Sequence, residues 1–131
     1  MALAPGDRHR QQFLGLPYKA ARRLDRGNAD VRTLTQDFNM FGLTLWSNLE
    51  QGNPGRVAGW KTAVEALNTA RNGVAHDDAT KIQAAERAGW PVTLASVQRW
   101  RESLDSLAAA MDHIVGAHLA AGFAASAWRR P

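Results

Sequence analysis

Val97, Trp100, Leu104, Leu107, Met111, Ile114 and His118 recur at alternating steps of three and four residues. Apolar side chains at that spacing line one face of an α-helix, and a stripe this long must be covered by similar stripes. Two more are legible: Val31, Leu34, Phe38, Phe41, Leu45 and Leu49, then Val57, Trp60, Val64, Leu67, Arg71 and Val74. No segment shows sustained period-two alternation of β-branched residues, and Ala and Leu are abundant, so strands are not expected. The sequence therefore predicts an all-α fold, a compact antiparallel helical bundle of four to five helices. The 131 residues are expected to form a single domain.

Breakers and caps set the boundaries. Residues 8–26 read as helical but interrupted by Pro17, and "RGN" (26–28) reads as a turn in which Asn28 can cap. One helix is predicted from near Ala29 through Leu49, ending in the loop "EQGNPGR" (50–56). Another starts near Val57. A short helical piece spans about 78–88 and stops at Gly89, ahead of Pro91; Thr93 then caps the last helix. The tail "FAASAWRRP" (123–131) is expected to fray. Tryptophans at helical spacing are read as core rather than as a base-stacking platform.

There are no cysteines, which excludes disulfides, thiolate metal sites and cysteine nucleophiles. No run approaches the ~18 apolar residues of a membrane span. The opening "MALAPGDRHRQQ" lacks the apolar core of a secretory signal. The chain is expected to be soluble and cytoplasmic. Its formal charge of +4 is concentrated in residues 1–32, densest at "KAARRLDR" (19–26). Arginine outnumbers lysine, which suits forked contacts to phosphate. Arg22, Arg23 and Arg26 are candidate contacts to an RNA backbone, with a solvated helix face as the competing explanation.

The stretch "TARNGVAHDD" (69–78) interrupts an apolar row with Arg71. A guanidinium in such a row costs several kcal/mol of desolvation unless it is paired or faces a wet cleft, so a groove or subunit boundary is expected there. Asn72 and His76, four residues apart, share one helix face. His76 lies roughly 140° from Arg71 around the axis. Gly73 weakens the helix but admits a close neighbour. Histidine with arginine suits cleavage of RNA by its own 2′-hydroxyl, which needs a base near neutral pH and fixed positive charge for the phosphorane-like transition state. One chain offers one such histidine. A two-fold dimer with this helix at its boundary would supply a second as the acid.

"RNGVAH", Arg71 to His76, resembles the signature of the HEPN superfamily: arginine, a polar residue that is often asparagine, a short spacer, then histidine. Four residues separate Arg71 from His76, three of them between Asn72 and the histidine. "WKTAVEALNTARNGVAHDD" is similar to the motif-bearing helix of prokaryotic HEPN proteins, and "PVTLASVQRWRESLDSLAAAMDHIVGAHL" to the closing helix of a ribonuclease-associated branch. The resemblance covers roughly residues 29–122 and is firmest at 60–78. It implies an all-α homodimer built around the motif, without cofactor. It also implies metal-independent endoribonuclease activity of toxin–antitoxin, antiviral-defence or RNA-processing type, and an antitoxin or nucleotidyltransferase as possible partner protein. Carried over by position, His76 is the acid–base residue, Arg71 stabilises the scissile phosphate and Asn72 positions them. Some proteins of this superfamily keep the fold and only bind RNA or a partner.

Other readings compete. Arg71 can pair with Asp77, Asp78 or another carboxylate, and His76 can cap the helix end. "HD" at 76–77 fits a metal phosphohydrolase only with an upstream histidine, and none lies between His9 and His76. His113 and His118 are five apart, not at zinc-ligand spacing on one face. The glycines at 52, 55 and 59 lack the lysine of a nucleotide cradle. "AAERAGWPVTLASVQRW" (84–100) resembles a DNA-binding helix-turn-helix, with Arg99, Trp100 or Arg101 on the recognition helix. Against it, Pro91 lengthens the turn and Ala95 stands where a larger apolar anchor is needed.

Overall fold

The computed structural model describes residues 21–23 and 27–122. Pro17 and its expected kink, Arg26, and the tail 123–131 lie outside the described residues. Among the described residues five helices pack as a bundle: α1 (Val31–Asn39), α2 (Leu45–Gly52), α3 (Val57–Ala75), α4 (Ala79–Arg87) and α5 (Leu94–Gly122). No helix among the described residues is long and apolar enough to cross a membrane.

The helix predicted to run unbroken from Ala29 to Leu49 is instead two. The chain turns after Asn39, where the Gly42 N–H donates to the Asn39 carbonyl at 3.0 Å and the Leu43 N–H to that of Phe38 at 3.2 Å. This is a Schellman closure with Gly42 at φ +73°, a conformation that glycine adopts without a Cβ penalty. The break changes which residues are inside: Phe41 is 55% exposed and Leu43 only 3%. Trp46 ties the two pieces together, its indole N–H donating to Thr35 Oγ1 at 2.9 Å.

Asp30, rather than Asn28, caps α1, accepting the Thr33 N–H at 2.6 Å. That bond favours the ionised form and holds the carboxyl below its ordinary range, helped by Arg32 nearby. A carboxyl lowered in the folded state stabilises above its unfolded pKa, and the contribution disappears as pH falls through the lowered value. Asp30→Ala is expected to cost about 1 kcal/mol at neutral pH. The deficit relative to the parent should shrink as pH falls through the lowered value, read from denaturant midpoints over an acid series starting at pH 7.

The core has two parts. Leu34, Leu43, Leu45, Trp46, Leu49, Val57, Trp60, Val64 and Leu107 form the first, with Met111 and Ile114 packed against it. The second joins the far half of α3 to α4 and α5 through Ala63, Ala66, Ala70, Ala85, Trp90 and Trp100. Trp90 and Trp100 stack with centroids 5.3 Å apart. Beyond Val64 the buried face of α3 is thus a row of small residues, which lets α4 approach closely. Leu67, predicted on the apolar stripe, is half-buried against this second part, whereas Arg71 and Val74 further along the stripe are exposed, Val74 by 60%.

Gly73 marks the closest approach. A Cβ there would lie 2.9 Å from Ile82 Cγ1, 3.1 Å from the Ile82 backbone nitrogen and 3.2 Å from Lys81 Cβ. Gly→Ala in a free helix gains about 1 kcal/mol, but overpacking against backbone costs about 1–3 kcal/mol. The clash is expected to win. Gly73→Ala should lower the unfolding midpoint and Gly73→Val lower it further; equal or raised midpoints for both would contradict this packing.

Thr93 caps α5 as expected, its hydroxyl accepting the Ser96 N–H at 3.3 Å. Of the stripe on α5, Trp100 and Leu107 are buried, whereas Val97 is 52% exposed and His118 is half-buried, bonded through Nε2 to the Phe41 carbonyl at 2.8 Å. Of the stretch 8–26 predicted to be helical, Arg22 and Arg23 are described outside any helix, and Gly27 and Asn28, predicted as a turn, also lie outside one.

Candidate functional site

Arg71, Asn72 and His76 stand at the C-terminal end of α3. Arg71 is exposed, and its Nη1 donates to Asn28 Oδ1 at 2.9 Å. Asn28 Nδ2 donates in turn to Asn72 Oδ1 at 3.4 Å. One asparagine therefore links two members of the motif, and sequence reasoning had assigned it only a capping role. Its contact spans 43 residues, so no local pattern announces it.

The segment around Asn28 is fixed by the same helix. Asn68 Nδ2 donates to the Ala29 carbonyl at 3.0 Å, and the Val31 N–H donates to Glu65 Oε1 at 3.0 Å. Glu65, Asn68 and Asn72 follow one another at three and four residues, so a single polar edge of α3 holds residues 28–31. Arg71 borders that edge. Its anchor is neutral, and among the described residues it has no ion pair, so its charge is not cancelled. The expected rival pairing with Asp77 or Asp78 is not found. Asp78 caps α4, accepting the Thr80 and Lys81 N–H groups, and sits 3.6 Å from Lys81 Nζ.

His76 is the C-cap of α3. Its N–H donates to the Asn72 carbonyl at 3.2 Å. The chain then closes by the Asp78 N–H to Gly73 carbonyl bond at 2.8 Å, with Asp77 at φ +51°. The capping role is carried by the backbone. The imidazole is exposed and makes no hydrogen bond among the described residues. Asn72 and His76 are one turn apart, so the imidazole stands at the end of the helix beyond the Arg71–Asn28–Asn72 cluster.

On its other side Arg71 lines a groove of about 660 Å³ between α3 and α5. Apart from Arg101 and Asp105 the remaining wall is apolar, including Leu67, Val74, Val92, Val97 and Leu104. Val74, Val92 and Val97 are 60%, 45% and 52% exposed. The expectation that Arg71 opens onto a groove is met, although the guanidinium sits at its lip rather than within a buried seam.

The other predicted residues lie apart. Arg22 and Arg23 are exposed, and the Arg23 N–H donates to buried Asp37 Oδ1 at 2.8 Å near the far end of α1. That places them roughly 10 Å along α1 from the segment that meets Arg71. Among the described residues no three His, Asp or Glu side chains converge as a metal-ligand group. Trp100, placed on the recognition helix by the helix-turn-helix reading, is 4% exposed. Arg99 is drawn back over the Trp90 ring at 4.2 Å and donates to the Gly89 carbonyl at 3.2 Å.

Comparison with known protein families, characterised proteins and solved structures found no match.

Proposed function

We propose that this protein is a metal-independent endoribonuclease of HEPN type, acting as a homodimer whose boundary lies along the Arg71 groove. The observation that carries the reading is the state of Arg71: exposed, uncancelled by any carboxylate among the described residues, and held by Asn28 on the helix end that bears His76. An arginine fixed by a neutral amide keeps its charge for a ligand. One fixed by a carboxylate does not.

In the proposed reaction the 2′-hydroxyl of RNA attacks the adjacent phosphorus, and its proton passes to the imidazole of His76. The Arg71 fork binds the non-bridging oxygens as negative charge builds on them. The P–O5′ bond breaks, leaving a 2′,3′-cyclic phosphate and a 5′-hydroxyl end, with His76 of the partner subunit protonating the leaving oxygen. Asn72, engaged by Asn28, steadies the cluster. The apolar groove with exposed Val74, Val92 and Val97 supports a protein occupant, which this reading takes to be the second subunit. A partner protein seated on the same groove, an antitoxin or nucleotidyltransferase, would silence or redirect the site.

The test is incubation with single-stranded RNA in EDTA, followed by analysis of the product ends. Cyclic phosphate and 5′-hydroxyl termini are expected. Binding of RNA without cleavage would instead support a non-catalytic module, and salt-sensitive binding of duplex DNA alone would support the helix-turn-helix.

A further inference from the structure

Two more arginines are held in an unusual way, on the opposite flank of α5 from the Arg71 groove. The guanidinium of Arg56 lies over the Trp60 ring, 5.2 Å from its centroid, and that of Arg99 lies over Trp90 at 4.2 Å. Both rings are almost fully buried, one in each part of the core. Each guanidinium also donates one N–H to a neutral acceptor: Arg56 Nη2 to Ser106 Oγ at 3.0 Å, and Arg99 Nη1 to the Gly89 carbonyl at 3.2 Å. Among the described residues neither forms an ion pair. Stacking and a single bond restrain these long side chains while leaving most of their five donors unused.

The two line one cleft of about 400 Å³. Gly55 and Gly59 form part of its wall, and a Cβ built on either meets nothing within 4 Å, so the cleft is open on that side. Arg56 stands at the start of α3, which has no side-chain cap. Glu102 is the opposing charge in the lining, one carboxylate against two guanidinium groups.

We propose that this cleft binds a phosphoryl anion between the guanidinium groups of Arg56 and Arg99. Planar forks with free parallel donors match phosphate oxygens, and the restraint on both side chains lowers the ordering cost of binding. The site is independent of the proposed nuclease centre. Arg56 and Arg71 are roughly 22 Å apart along α3, and Arg99 and Arg101 diverge by about 200° around α5. The phosphoryl group can belong to a free anion or to a nucleic-acid backbone.

The experiment follows the arginine Nε–H and tryptophan indole N–H signals of the full chain by NMR. Inorganic phosphate, and separately a short single-stranded RNA, are titrated at low ionic strength against a chloride control. Saturable shifts confined to Arg56, Arg99, Trp60 and Trp90 are expected with phosphate. Arg56→Gln or Arg99→Gln should weaken binding about tenfold, the worth of one charge-assisted hydrogen bond. Glu102→Gln should tighten it, and this variant leaves both arginines and the fold untouched. Competition between RNA and phosphate assigns the backbone as source, and saturation by phosphate alone assigns a free anion. Shifts no larger than those given by chloride, or shifts that persist undiminished in the Arg56→Gln/Arg99→Gln double variant, overturn the proposal.

Discussion

His76→Ala is expected to reduce RNA cleavage by roughly 10²–10⁴-fold, the range for losing a positioned acid–base group. Thermal stability should change little. The two effects separate because the native contribution of residue 76 to the helix end is its backbone: the N–H bond to the Asn72 carbonyl survives substitution, while the exposed ring makes no hydrogen bond among the described residues. Surface replacements of this kind usually fall within about ±0.5 kcal/mol. Arg71→Ala should lower the rate by a similar factor of roughly 10²–10³, because the lost donors face charge that develops in the transition state. Arg71→Lys should recover only part, since an ammonium cannot reproduce the fork. Cleavage rates in EDTA and melting curves on the same preparations check both. A wild-type rate in His76→Ala, or a large fall in its melting temperature with proportionate loss of activity, would make this histidine structural and remove the basis of the nuclease reading.

Much of the fold was legible because α3, α4 and α5 obey local rules. Val57 begins the α3 row, Gly89 at φ +83° follows α4, and the Thr93 hydroxyl caps α5. The division of α1 from α2 was hidden by a coincidence of spacing. Phe38, Phe41, Leu45 and Leu49 keep helical steps across Gly42, so the row reads as continuous although the backbone reverses its twist there. Burial along α3 was misjudged for a related reason. Apolarity marks which face seeks cover, but small size decides where two helices meet, and Ala63, Ala66, Ala70 and Gly73 lie beside the larger row rather than on it. Arg71, Asn72 and His76 could be grouped from the chain because they share one helix end. Asn28 could not, because its place beside Arg71 comes from packing of the segment before α1 onto α3.

Val74→Glu combined with Val97→Glu should dissociate the proposed dimer and abolish cleavage. The two valines face the groove from α3 and α5, are 60% and 52% exposed, and make small contributions to the protomer core. Carboxylates there stay hydrated in a free protomer, so its stability should hold. In a closed two-fold interface each substitution appears twice, and four carboxylates would be stripped of water without partners, at several kcal/mol per ion. Arg71 and Arg101, on the same groove, can offset part of this in one protomer, but Asp105 already lies 3.8 Å from Arg101 Nε. Sedimentation and cleavage assays should therefore fail together, with a helical spectrum and melting curve close to the parent. Because a carboxylate at position 74 can pair with Arg71, lost activity traces to the missing second histidine where the Val97→Glu single variant, which leaves the α3 face unchanged, loses dimer and cleavage together. Undiminished cleavage by a strictly monomeric double variant would show that one chain suffices, and the acid for the leaving oxygen would then have to come from solvent or from within the same subunit.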